Sequence, residues 1–204
     1  AACGLTATAG CTAPASTGER GAGTPPTEQT DTATPRDKID LGDDPVWPTF
    51  GGNAANTGRR GDGSGPDDPV TPMWRTDVDG IYTMPGPALA DGIAFVGSGE
   101  RAYAVDAFTG EQLWDVEMGS LTHYFSPATA NEQVFFGAQS NIASGGDAGR
   151  LSSFGLDGAE QWSRTLAVTS TPSVVDGTVL VGESRDSGAQ LRAVAAADGT
   201  DRWT

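Results

Sequence analysis

The sequence has little cysteine, little lysine and little histidine, and each shortage removes a class of function. Cys3 and Cys11 are the only cysteines in 204 residues. Both sit at the start of the chain, so no disulfide framework and no cysteine-based metal centre can form downstream. His123 is the only histidine. A multi-histidine metal centre is therefore excluded, and no second histidine exists for a nucleophilic triad. His123 itself reads as a polar loop residue. Lys38 is the only lysine, and 12 basic residues face 27 acidic ones, for a net charge of −15. Such a surface repels phosphates and excludes nucleic acid as a partner. No apolar run reaches the roughly 18 residues that a membrane-spanning helix needs. No Asn-x-Ser/Thr sequon occurs.

What is present is glycine, 29 residues of it, with 37% hydrophobic residues. That suits a packed all-β domain. The acidic excess is similar to that of proteins from salt-accumulating halophiles, in which carboxylates hold hydration while salt screens their repulsion.

The N-terminal stretch from Ala1 to Cys11 is small and apolar. Thr8-Ala9-Gly10-Cys11 resembles a lipobox, in which the Cys11 thiol receives the lipid. Residues 1–11 are thus expected to be the end of a signal peptide. Residues 12–45 are rich in Thr, Pro, Gly and acidic side chains and lack apolar periodicity. A segment of this kind cannot bury enough surface to offset its ordering entropy, so it is expected to be a disordered tether. The folded part is expected over 46–204.

Three segments within 46–204 repeat. Pro87–Gly97 leads to Thr109-Gly110 and Trp114, Pro127–Gly137 to Asp157-Gly158 and Trp162, and Pro172–Gly182 to Asp198-Gly199 and Trp203. Gly and Trp stand four apart in every copy. With Trp74, the tryptophans are separated by 40, 48 and 41 residues. Self-similarity at this period is the signature of propeller blades. Each copy reads as four short strands. Asp91-Gly92 and Asp176-Gly177 are hairpin turns. Ile93–Val96, Val134–Phe136 and Val179–Val181 are continuous apolar runs, as in strands buried on both faces.

Ala104–Trp114 resembles the tryptophan-docking motif AxDxxTGxxxW of the pyrroloquinoline-quinone (PQQ)-like repeat family, which includes quinoprotein dehydrogenases and a lipoprotein of the bacterial outer-membrane assembly complex. The resemblance covers 46–204 and is of haloarchaeal type. Val46–Gly58 is similar to the segment that precedes the first blade in that family. Only the first copy is complete: Phe154 and Ala195 stand at the Asp106 position, and Asp157 and Asp198 replace Thr109. The resemblance implies an all-β propeller of four-stranded antiparallel blades. Three to four blades would be present, closing near Trp74, Trp114, Trp162 and Trp203, as a part of a seven- or eight-bladed ring. It implies that each Trp stacks between blades, that Asp106 and Thr109 tie the turn, and that Gly110, Gly158 and Gly199 belong to the docking. It also implies a twin-arginine signal upstream of Ala1.

Other motifs carry less. Gly97–Ala102 loosely fits a dinucleotide fingerprint but precedes a strand, so it reads as a hairpin loop. Asp77-Val78-Asp79-Gly80 lacks the closing Glu of a calcium loop and reads as a turn. No catalytic, cofactor-binding or metal-binding residue is assigned. The leading expectation is a non-enzymatic protein-binding scaffold, anchored by lipid at the outer face of the cell membrane, with other surface proteins as partners. The rival is a quinoprotein oxidising alcohols or sugars, with PQQ and calcium held by residues mostly outside this chain. A degenerate fragment without function is the third reading.

Overall fold

The computed structural model describes residues 47–53, 57–58, 71–79, 85–119, 123–139, 149–185 and 188–204. The expected lipobox ending at Cys11 and the expected tether over 12–45 lie outside the described residues. Among those residues there is no helix, and thirteen strands form three antiparallel sheets. Blade 1 runs β1 (Ala88–Ala90), β2 (Ile93–Ser98), β3 (Arg101–Asp106) and β4 (Gln112–Glu117). Blade 2 holds β5 (His123–Tyr124), β6 (Ala128–Ala130), β7 (Gln133–Gln139), β8 (Gly149–Gly155) and β9 (Glu160–Thr165). β5 and β6 lie along one edge of β7, so this blade is also four strands wide. Blade 3 runs β10 (Ser173–Val175), β11 (Thr178–Arg185), β12 (Gly188–Ala195) and β13 (Asp201–Trp203). These are propeller blades. Their first strands converge, with β6 touching both β1 and β10, and so face the propeller axis.

Local chemistry explains the hairpins. Asp91 and Gly92 have φ of 49° and 73°, and Asp176 and Gly177 have 44° and 67°. Two successive left-handed residues match the twist of the flanking strands, and Asp-Gly tolerates them best. Asn131 and Glu132 take the same path at 52° and 60° without a glycine. Further out, each blade breaks register at one place: Ala104/Val105, Ser153/Phe154 and Ala193/Val194. The break sets the closing Trp opposite Ala104, Ser153 and Ala193 respectively.

Two apolar layers hold the blades together. Phe95, Ala102, Ala104 and Met118 of blade 1 and its trailing residue pack against Val134, Phe136 and Phe154 of blade 2. Phe135, Leu151 and Trp162 of blade 2 pack with Val179, Val181 and Val194 of blade 3. A fully buried Phe or Val contributes about 1.5–3 kcal/mol, so these layers dominate the stability.

Three features depart from the sequence reading. β7 is buried on both faces, as its apolar run requires, but β2 buries only Phe95 of the Ile93–Val96 run, and β11 alternates: Val179, Val181 and Glu183 are buried while Thr178, Leu180 and Gly182 are only half-buried. The backbone of His123 lies in β5, paired with Gln139, rather than in a loop. Gly155, not Phe154, takes the Asp106 position, because Gly155 pairs with Gln133 as Asp106 pairs with Ile93. The turn after β8 is one residue shorter, which moves the alignment.

Candidate functional site

The repeated glycines and tryptophans meet between copies, not within them. Trp74 lies on Gly110, Trp114 on Gly158 and Trp162 on Gly199. A Cβ on these glycines would come within 2.7, 2.9 and 2.7 Å of the ring atoms. All three glycines have positive φ, so only glycine gives both the turn and the approach. Each indole N–H donates to a carbonyl of the same turn: Trp74 to Ala107 at 3.0 Å, Trp114 to Leu156 at 2.7 Å and Trp162 to Ala196 at 2.8 Å. Residues 71–79 form no strand, yet Trp74 docks as the others do. Two residues beyond the Trp, Thr76 and Arg164 donate to the Gly110 and Gly199 carbonyls. Trp203 has no such glycine among the described residues and is half exposed.

Side-chain oxygens fix the turns. Asp106 Oδ1 accepts from the amides of Phe108 and Thr109, both at 2.8 Å. Thr109 Oγ1 accepts from the Glu111 amide, as Asp157 does from Ala159 and Asp198 from Thr200. Thr109, Asp157 and Asp198 thus do one job, and the Thr200 hydrogen bonds hold the Asp198 carboxyl below its usual range. In the shorter second turn the Asp157 carboxylate lies 2.6 Å from where a Gly155 Cβ would be. That crowding explains glycine at this position.

An ion network that no sequence motif signals lies at the blade 2–3 boundary. Glu183 on β11 accepts from Arg192 at 2.7 Å, Gln190 at 2.8 Å and Arg185 at 3.1 Å. Arg192 also donates to Asp201 at 2.7 Å, and Asp201 pairs with Arg164 of blade 2 at 3.3 Å. Glu183 and Arg192 are buried. Burial pushes the Glu183 carboxyl up, but its three donors outweigh that and hold it low. The Arg192 hydrogen bond, with help from Arg164, holds Asp201 low. At the equivalent Arg192 positions the other blades carry Tyr103 and Ser152. Burial raises the Tyr103 hydroxyl.

A third cluster lies on the axial side. Leu89 on β1 donates to the Trp47 carbonyl at 2.8 Å and accepts from the Trp47 amide at 3.4 Å. Thr129 on β6 donates to the Pro48 carbonyl at 2.7 Å. The chain then turns back, with Gly52 donating to Thr49 and the Trp47 ring closing over Gly52. No group of three or more His, Cys, Asp or Glu able to hold a metal occurs among the described residues.

This architecture of blades tied by tryptophan agrees with the comparisons. A PQQ-repeat family model described as outer membrane protein assembly factor BamB matches residues 71–204. The chain belongs to this family. BamB of Burkholderia pseudomallei (strain K96243) is 29% identical over 140 residues, which is 66% of this chain and 33% of that protein. The chain therefore spans about a third of the length of that curated relative. Among solved structures, the quinohemoprotein alcohol dehydrogenase ADHIIG from Pseudomonas putida HK5 has a TM-score of 0.56 at 18% identity, over 78% of this chain and 26% of that one. At that identity the likeness is one of fold. BamB from Moraxella catarrhalis has a TM-score of 0.46 at 21% identity, over 58% of this chain and 35% of that one.

Proposed function

We propose that the chain is a non-enzymatic, extracytoplasmic scaffold that binds other proteins, held at the outer face of the cell membrane by a lipid on Cys11. The match of residues 71–204 to the assembly-factor family carries this reading. Side-chain usage supports it. Trp74, Trp114 and Trp162 are engaged in docking, and Asp106, Asp157 and Asp198 in turns. The polar 12–45 tether fits a domain held at a distance from its anchor. A single acyl chain binds a membrane only marginally, so a second chain or a protein contact completes the anchoring.

The test uses the full-length gene in its host. Wild type is expected in the membrane fraction with a stoichiometric protein partner, and Cys11→Ser in the soluble fraction. Equal partitioning of the two would remove Cys11 as the anchor. The competing reading is PQQ-dependent oxidation of alcohols or sugars. Purified protein supplied with PQQ and calcium is expected to show no dye-linked oxidation above background. Stoichiometric, calcium-dependent PQQ binding would put the dehydrogenase first.

A further inference from the structure

The inner strand of a propeller blade is a sheet edge, and an open edge pairs with any extended chain that reaches it. In blades 1 and 2 this edge is already taken. Leu89 and Thr129 hold the middle position of β1 and β6, opposite Ala94 and Val134. Their amides turn away from the blade and bond the backbone of Trp47 and Pro48. Trp47 and Leu89 exchange two hydrogen bonds, as an antiparallel strand pair does. One short segment thus crosses two blades on the axial side.

The segment is built to stay extended there. Pro48 has no amide to leave unpaired and favours an extended residue before it. The Trp47 ring folds over Gly52, and its Nε1 donates to the Phe50 carbonyl at 3.3 Å, which closes the segment on itself. Thr49 is buried. In blade 3 the equivalent residue is Val174, opposite Val179. Among the described residues, no backbone group outside the blade pairs with it.

We propose that the axial edge of the inner strands is a β-addition site for an extended peptide, kept closed in blades 1 and 2 by the chain's own Trp47–Thr49. Main-chain hydrogen bonds supply the affinity of such a site and side-chain pockets its specificity. The partner is an extended segment of another protein carrying an indole followed by proline. It displaces the resident segment and continues onto the open edge at Val174. This deepens the scaffold reading and rests on it.

The experiment uses the full chain and a labelled peptide Val-Trp-Pro-Thr-Phe-Gly-Gly, the sequence of the resident segment. Trp47→Ala removes the ring that closes the segment. In that variant the Leu89 and Thr129 amides are expected to exchange about ten-fold faster or more, the loss set by a few main-chain hydrogen bonds. Phe95 and Phe135 amides, in the apolar layers, stay as slow as in wild type and report an intact fold. Adding the peptide restores protection at Leu89 and Thr129. The peptide binds Trp47→Ala more tightly than wild type, and adding Thr129→Pro to that variant weakens binding, because the amide that meets the Pro48 carbonyl is gone. Unchanged exchange in Trp47→Ala, or equal peptide binding by wild type and variant, overturns the proposal. Either failure leaves the scaffold reading to its own test, since co-purification and PQQ binding decide that separately.

Discussion

Trp162 lies over Gly199 of the neighbouring blade, with its indole N–H on the Ala196 carbonyl at 2.8 Å. Gly199→Ala would set a methyl 2.7 Å from the ring at a φ of 70°. The backbone cost and the overpacking together come to about 2–4 kcal/mol. Gly177 has nearly the same φ, 67°, but nothing closer than 3.9 Å to an added Cβ. Gly177→Ala is expected to lose only about 1 kcal/mol, the backbone cost alone. Guanidinium unfolding midpoints decide the matter. Equal losses at the two sites would show that ring contact adds nothing.

The repeats were legible because Gly and Trp recur at a fixed spacing of four within each copy. The docking was not legible in detail, because each Trp meets the glycine of the following copy: Trp114 reaches Gly158 rather than Gly110. Counting four back from Gly158 points to Phe154 rather than Gly155, because the second turn is one residue shorter than the other two. The Glu183–Arg192 pair follows no period, since its burial depends on how blade 3 sits against blade 2. The axial role of Trp47 was hidden for a similar reason. It does not repeat, and Leu89, its own partner, and Thr129, the partner of Pro48, lie far along the chain.

Glu132 occupies a left-handed position at φ 60° where the other two hairpins carry glycine. A left-handed non-glycine residue costs about 1–2 kcal/mol, and glycine's extra freedom in the unfolded chain returns part of it. Glu132→Gly is therefore expected to stabilise the protein by about 0.5–1 kcal/mol. Thermal unfolding at fixed salt checks this, and a lower midpoint than wild type would contradict the turn assignment.

Glu183 gives the fold an acid-sensitive joint. Its carboxyl is held below its ordinary value in the folded state. A depressed carboxylate adds stability above its unfolded pKa, and loses it as pH falls through the folded pKa. Glu183→Gln leaves Arg192 with Asp201 alone and is expected to cost about 3 kcal/mol at neutral pH. Below about pH 4.3, the ordinary glutamate value, wild type should weaken faster than the variant. The two stabilities then converge in acid. Urea unfolding at several pH values measures the gap, and a gap that stays constant down to acid pH removes the linkage.

Salt acts on the rest of the charge. The chain carries 27 acidic and 12 basic residues, and turn carboxylates such as Asp91, Asp176 and Asp198 are exposed. Their mutual repulsion falls as the Debye length shrinks from about 10 Å at 0.1 M to about 3 Å at 1 M. The Glu183–Arg192 attraction is buried, so salt screens it much less than it screens the surface. Repulsion is thus lost while the main ionic attraction is kept, and the unfolding midpoint should rise between about 0.1 M and 3 M KCl. Glu183→Gln should show a rise of similar size, since its deleted pair lies beyond effective screening. A midpoint that is flat or falls in wild type would count against an acidic surface adapted to salt. A rise confined to wild type would instead trace the effect to the Glu183 network.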